Sequence, residues 1–145
     1  MTDIEKLVAI EAVRQTKARY FRLMDTKDWE GFAAVFAPDA TVDYASENPA
    51  ASNFKASGAA NIVALVRQII GEALTIHHGH MAEVEILTPT TARAVVAMED
   101  LIFWPAGARN RTLHGWGHYH ETYERVADRW LIKSLKLTRL RVENT

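Results

Sequence analysis

Three of the chain's six histidines fall within Thr75-Ile76-His77-His78-Gly79-His80. Successive side chains of a strand point to opposite faces, so His77 points one way and His78 and His80 the other. A neutral imidazole, whose unperturbed pKa is about 6.5, can take a proton near neutral pH. The reading adopted is that His77 faces an internal pocket and acts there as a base. The plain alternative is a set of three partly exposed strand histidines.

Other chemistries find little support. The chain has no cysteine, which excludes thiolate metal sites, disulfides and thiol nucleophiles. It shows neither a Ser–His–Asp order with a nucleophile elbow nor a phosphate-binding glycine loop. A formal net charge of −1 gives no basis for a nucleic-acid or anionic-membrane partner. The apolar runs are too short to cross a bilayer, and the N-terminus lacks a basic stretch followed by an apolar run. A cytoplasmic protein is therefore expected. At 145 residues, residues 1–145 are expected to form one domain with a real core.

The elements that would carry His77 follow from periodicity. Thr2 or Asp3 can cap a first helix, whose stripe runs Ile4, Leu7, Val8, Glu11, Arg14, Ala18, Phe21, Met24 and Asp25, starting apolar and ending on an acid. Asp28 reads as the cap of a short helix over 29–36, stopped by Ala37-Pro38-Asp39. Residues 40–45 read as a strand with Val42 and Tyr44 on one face. Residues 47–58 read as a loop and 59–72 as a third helix. Four strand patterns follow, over 74–87, 91–104, 111–126 and 129–142. Helices followed by antiparallel strands make an α+β fold, and a curved sheet closed by helices leaves a conical ligand pocket.

Period two assigns some pocket positions. Ala92, Ala94, Val96 and Met98 form one apolar face that continues to Asp100 and Ile102, which would put a carboxylate inside. A bulge would instead turn Asp100 out to water. The strand over 111–126 has two stripes, one through Gly115, Gly117, Tyr119 and Glu121 and one through Trp116, His118 and His120; the pattern leaves open which is inward. In 74–87 the phase changes, and one bulge near Gly79 or Met81 would let both His77 and Val84 point inward.

Several segments together resemble the scytalone dehydratase-like, SnoaL-like branch of the NTF2-like superfamily. They are 20–29 (YFRLMDTKDW), 36–40 (FAPDA), Val42-Asp43-Tyr44, Thr75-Ile76-His77-His78-Gly79, and Gly117-His118-Tyr119-His120-Glu121-Thr122-Tyr123 ahead of Trp130. The resemblance covers nearly the whole chain. It implies an NTF2-like cone: a strongly bent, mostly antiparallel sheet with three helices in the N-terminal half, enclosing a hydrophobic pocket. It also implies a homo-oligomer, either a dimer through the convex sheet face, where it assigns Trp116, or a trimer. Asp25 and His77 match the family's Asp–His dyad, and Tyr44 matches an active-site tyrosine. The pattern departs from the family at Met24, where a tyrosine is expected, at Ile102 in place of a second histidine, at Gly117 and Tyr119 in place of a Ser and an Asn, and at Leu135 in place of an arginine.

A carboxylate bonded to the far nitrogen of an imidazole fixes its tautomer and stabilises the imidazolium once formed. Asp25, His77 and Tyr44 are therefore the expected catalytic residues. His77 would remove a proton next to a carbonyl, Tyr44 or Tyr119 would polarise that carbonyl, and His77 would return the proton to a departing hydroxyl. The expected function is cofactor-independent elimination of water, with no metal, from a small apolar cyclic or aromatic carbonyl compound. Tyr119, Met24, Met98, Asp100, Ile102 and Gly117 are expected to contact the substrate. The same dyad would serve an isomerase or a polyketide cyclase, and the cone alone would serve a non-catalytic binder. A metal reading gathers His78 and His80 with His118 and His120 on one sheet face.

Overall fold

The computed structural model describes residues 1–46, 48–109 and 111–145. Helix α1 (Asp3–Asp25) begins at a capping box. The Glu5 N–H donates to Thr2 Oγ1 and the Thr2 N–H to the Glu5 carboxylate, so two orphan donors are satisfied at once. At 1.5 Å per residue the helix is about 35 Å long, longer than the core it covers. Ile4, Leu7 and Val8 are accordingly exposed, and the buried face starts only at Ala9, continuing through Val13, Lys17, Tyr20 and Met24. The stripe drawn from Ile4 is thus corrected over its first turns.

Helix α2 (Trp29–Ala33), capped by Asp28, is shorter than the pattern suggested. The chain is already extended at Phe36, where strand β1 (Phe36–Asp43) starts. Ala37-Pro38-Asp39 does not end the element: it sits in a register break between Phe36 and Thr41, where proline's missing N–H costs no ladder bond. The stretch read as loop contains a 3₁₀ turn (Pro49–Ala51) and a short strand β2 (Lys55–Ser57) paired antiparallel to β1. Helix α3 (Ala59–Ile70) buries Ile62, Val66 and Ile70 and ends at Gly71, whose φ is 53°.

The remaining strands are β3 (Leu74–Gly79), β4 (Glu83–Thr88), β5 (Thr91–Phe103), β6 (Thr112–Val126) and β7 (Arg129–Asn144). The sheet order is β2-β1-β7-β6-β5-β3, with β4 also on β5. Among the described residues, only β1 and β7 pair in parallel. The expected 74–87 strand is therefore two strands on one partner, with a break at 80–82 that keeps His77, Val84 and Ile86 all facing inward. On β6 the inward stripe is Gly115, Gly117, Tyr119, Glu121 and Tyr123. Gly117 lies at a register break against β7, and a Cβ there would stand 1.9 Å from the Thr138 carbonyl oxygen. No side chain fits, and the bulge bends the sheet around the helices. The result is an α+β fold with a strongly curved, unclosed sheet.

One buried ion pair underlies the core. Lys17 Nζ donates to Glu121 Oε1, and the Tyr123 hydroxyl donates to Glu121 Oε2 at 2.6 Å. The ammonium also lies over the rings of Tyr20 and Tyr119, 3.8 and 3.5 Å from their centroids. Burial pulls Lys17 down to about 8, against the opposing pull of Glu121. Removing one partner strands the other charge in an apolar interior. Lys17→Met is expected to destabilise the fold by about 3–5 kcal/mol, and Lys17→Met with Glu121→Leu to recover most of it, as measured by urea unfolding.

Candidate active site

The C-terminal turn of α1 delivers Asp25 against β3. There Asp25 Oδ2 accepts the backbone N–H of His77 at 2.8 Å, and Oδ1 lies 2.6 Å from His77 Nδ1 and accepts the Thr75 hydroxyl at 2.9 Å. Burial of Asp25 pushes its carboxyl up, but the bonds from His77 and Thr75 outweigh it and hold the group below its ordinary value. An ionised carboxylate only accepts, so Nδ1 is the protonated nitrogen of the neutral ring and Nε2 carries the lone pair. Phe21 stacks on the imidazole at 6.0 Å between centroids and 19° between planes. Gly79 makes room for that phenyl ring: a Cβ there would come within 2.5 Å of it.

His77 opens into a cavity of about 520 Å³ between the sheet, α1, α3 and residues 44–46 and 48–54. Of the residues expected to contact a substrate, Met24, Asp100, Ile102 and Tyr119 line it, together with Tyr44, which was expected to be catalytic. Asp100 is buried at 3 % exposure and faces inward, as period two implied. Asp25 stands behind His77. Met98 and Gly117 are not brought to the cavity. Met98 is buried with its sulfur 3.8 Å from Arg139 Nη1, and Gly117 is pressed on the β7 backbone.

Tyr20, Trp104 and Arg139 are among the lining residues that were not anticipated. The Tyr20 and Tyr44 hydroxyls share a hydrogen bond of 2.7 Å. Burial raises the ionisation of Tyr20, Tyr44 and Tyr119 well above the ordinary range, so all three remain neutral donors. Arg139 binds Asp100 at two points, Nη1 to Oδ1 at 2.6 Å and Nη2 to Oδ2 at 3.0 Å. Burial disfavours its charge, but Asp100 outweighs this and raises it further. Arg139 was legible in principle, because it continues the inward stripe of Leu135 and Leu137 by period two. Trp104, from the end of the β5 pattern, closes the wall.

The four-histidine metal set does not assemble. His78 and His80 lie on or just after β3, with β5 between them and His118 and His120 on β6. Among the described residues no cluster of three or more His, Asp or Glu side chains has the geometry to hold a metal. Nor is any helix of the described residues long and apolar enough to cross a membrane.

Comparison with known proteins places this geometry in context. Residues 5–136 match the model of the SnoaL-like domain. A protein of Gibberella zeae named probable cyclase FGR4 is 29% identical over 143 residues, covering 91% of each chain. Among solved structures, a protein of Novosphingobium aromaticivorans proposed to be a scytalone dehydratase superposes with a TM-score of 0.85 at 20% identity, over 99% of this chain and 92% of that one. The type 3 LinA hexachlorocyclohexane dehydrochlorinase of Novosphingobium barchaimii superposes with a TM-score of 0.82 at 16% identity, over 99% and 94%.

The bonds that hold Asp25 low also link it to stability. Its folded value lies below the unfolded one, so between the two the unfolded chain binds more protons and stability rises with pH. Its contribution is complete above the ordinary carboxyl value of 3.8 and is lost as pH falls through the lower folded value. The difference in unfolding free energy between wild type and Asp25→Asn should therefore shrink from pH 7 to pH 3, measured by urea titration at both.

Proposed function

We propose, since this chain belongs to the SnoaL-like domain family, that it is a cofactor-independent lyase that eliminates water from a small, largely apolar cyclic or aromatic carbonyl compound. The observation that carries this reading is His77, bonded through Nδ1 to Asp25 at 2.6 Å and opening into the apolar cavity. The Nε2 lone pair takes a proton from carbon next to the carbonyl. The bond's electrons move onto the carbonyl oxygen, where the Tyr44 hydroxyl, itself bonded to Tyr20, donates a hydrogen bond to the enolate. Asp25 stabilises the imidazolium. The enolate then re-forms its carbonyl and expels hydroxide from the β-carbon, which takes the proton from Nε2. The products are a conjugated carbonyl compound and one water, and His77 is neutral again.

A second reading is favoured by the Gibberella relative, whose name says cyclase. The same enolate carbon would attack a second carbonyl of the substrate, forming a ring bond in place of expelling water. Both readings take residues 1–145 as one domain with its cavity complete in one chain. They also take the protein to be a homo-oligomer, supported by the half-buried Trp116 on the outward face of β6.

Cyclic β-hydroxyketones, followed by ultraviolet absorbance for loss of water and by NMR for α-deuteration in D₂O, provide the test. Enone formation with α-exchange is expected. Exchange with ring closure of a diketone, and no water loss, would favour the cyclase. His77→Ala should lower kcat/KM by about 10²–10⁴-fold, roughly 3–5 kcal/mol of barrier. Tyr44→Phe should lower kcat with little change in KM. Full activity in His77→Ala would overturn both readings.

A further inference from the structure

His77 has a second carboxylate beside it. Its Nε2, the nitrogen that must meet the substrate, lies 4.0 Å from Asp100 Oδ2. That separation is too long for a hydrogen bond, yet a shift of about 1 Å would make one. The imidazole would then be bonded to a carboxylate at each nitrogen. It would hold two protons as an imidazolium, with no lone pair left to act as a base. An unrestrained, buried Asp100 has every electrostatic reason to make that move, since a nearby cation is the cheapest counter-charge for a carboxylate removed from water.

Arg139 occupies Asp100 instead. Both carboxylate oxygens are held, at 2.6 and 3.0 Å, by the two terminal nitrogens of one guanidinium. This planar two-point contact fixes position as well as charge. The backbone opposite is shaped for the pair. Gly115 is the β6 register partner of Asp100, and a Cβ there would lie 2.2 Å from Arg139 Nη1 and 2.4 Å from Asp100 Oδ1. A side chain at 115 would expel one partner or the other.

We infer that Arg139 is a positioning residue that clamps Asp100 away from His77, keeping Nε2 open to the substrate while leaving a carboxylate close enough to stabilise the imidazolium as it forms. The inference rests on His77 being the base of the proposed function, and the geometry gives it a readout that needs no substrate. The groups facing this corner are Tyr20 and Asp25 from α1, Lys27 through Thr75, Tyr44 after β1, Asp100 from β5, Tyr119 from β6 and Arg139 from β7. The Lys17–Glu121 pair lies beyond the first ring of contacts, with the ammonium over the Tyr119 ring and 4.7 Å from the centroid of Phe21, the ring stacked on His77. Of these charges, only Asp25 and Asp100 contact the imidazole as ion-pair partners among the described residues.

The test is an NMR titration of ¹⁵N-histidine-labelled protein, with the His77 ring signals assigned by their loss in His77→Asn. In Arg139→Met, Asp100 is released onto Nε2, and the His77 protonation midpoint should rise by about one pH unit or more. Adding Asp100→Asn to that variant should bring the midpoint back down to near the wild-type value or below it. Asp100→Asn alone should lower it, because the guanidinium then faces the ring unbalanced. If Arg139→Met does not fold, Arg139→Lys, which keeps the charge but cannot grip both carboxylate oxygens in one plane, tests the clamp by a smaller rise of the midpoint. The inference is overturned if the midpoint is unmoved in Arg139→Met, if it stays high in the double variant, or if Asp100→Asn leaves it unchanged. A merely structural pair predicts a double variant no better than the singles. Where turnover is found, the acidic limb of the kcat/KM profile should move with the NMR midpoint. If the midpoints shift as stated but no carbonyl compound is turned over, the clamp stands and the lyase reading falls.

Discussion

The structure turns on one carboxylate. Asp25 ends α1, and its two oxygens accept from the ring, the backbone N–H and the neighbouring hydroxyl of a single strand segment, Thr75 to His77. A ring bonded only at Nδ1 could still tip about its own axis. Here the backbone bond fixes the strand, the ring bond fixes the tautomer, and Phe21 fixes the plane. The helix can deliver that acid because its capped start and buried lower face hold it rigidly across the open side of the sheet. The cavity exists because the sheet bends where Gly117 meets the Thr138 carbonyl.

Much of this frame was legible in the residues. Period two on 91–104 offered Asp100 as an inward residue, with a bulge as the alternative, and the family resemblance assigned Asp25, Tyr44 and His77 to one site. What periodicity could not supply was the phase of each strand where the ladder breaks. The pattern over 74–87 contained a change of face but not the two-strand solution around 80–82. The strand over 111–126 presented two plausible stripes, because the inward one carries Gly115, Gly117 and Glu121, which look like surface residues in isolation. They are inward because each answers a partner on another element: Asp100 with Arg139 for Gly115, Thr138 for Gly117, Lys17 for Glu121. Such pairings are long-range in sequence, and no local pattern encodes them.

The same reason explains the exposed start of α1. Helical periodicity shows which residues share a face but not how far the partner surface extends, so Ile4, Leu7 and Val8 read as core although nothing lies opposite them. Conversely, Lys17 lies in the core because Glu121 meets its ammonium and the Tyr20 and Tyr119 rings lie under it. In this molecule the polar core residues come as matched sets: Lys17 with Glu121 and Tyr123, Asp100 with Arg139, Tyr20 with Tyr44. No buried side-chain nitrogen or oxygen among the described residues is left without a partner. Each set joins elements distant in the chain, so together they fix the register of the sheet beneath the helices as well as lining its cavity.

Strand β3 ends the sheet order, so one side of its backbone has no neighbouring strand. Exposed edges of this kind recruit other chains by adding strands, and proteins that stay dispersed must obstruct them. The backbone N–H of His77 on that edge is taken by Asp25 Oδ2 at 2.8 Å. An incoming strand would have to displace the carboxylate to reach it. The residue that orients the imidazole therefore also guards the sheet against intermolecular β-pairing. Loss of Asp25 would expose the chain to self-association at the same position where it frees the imidazole.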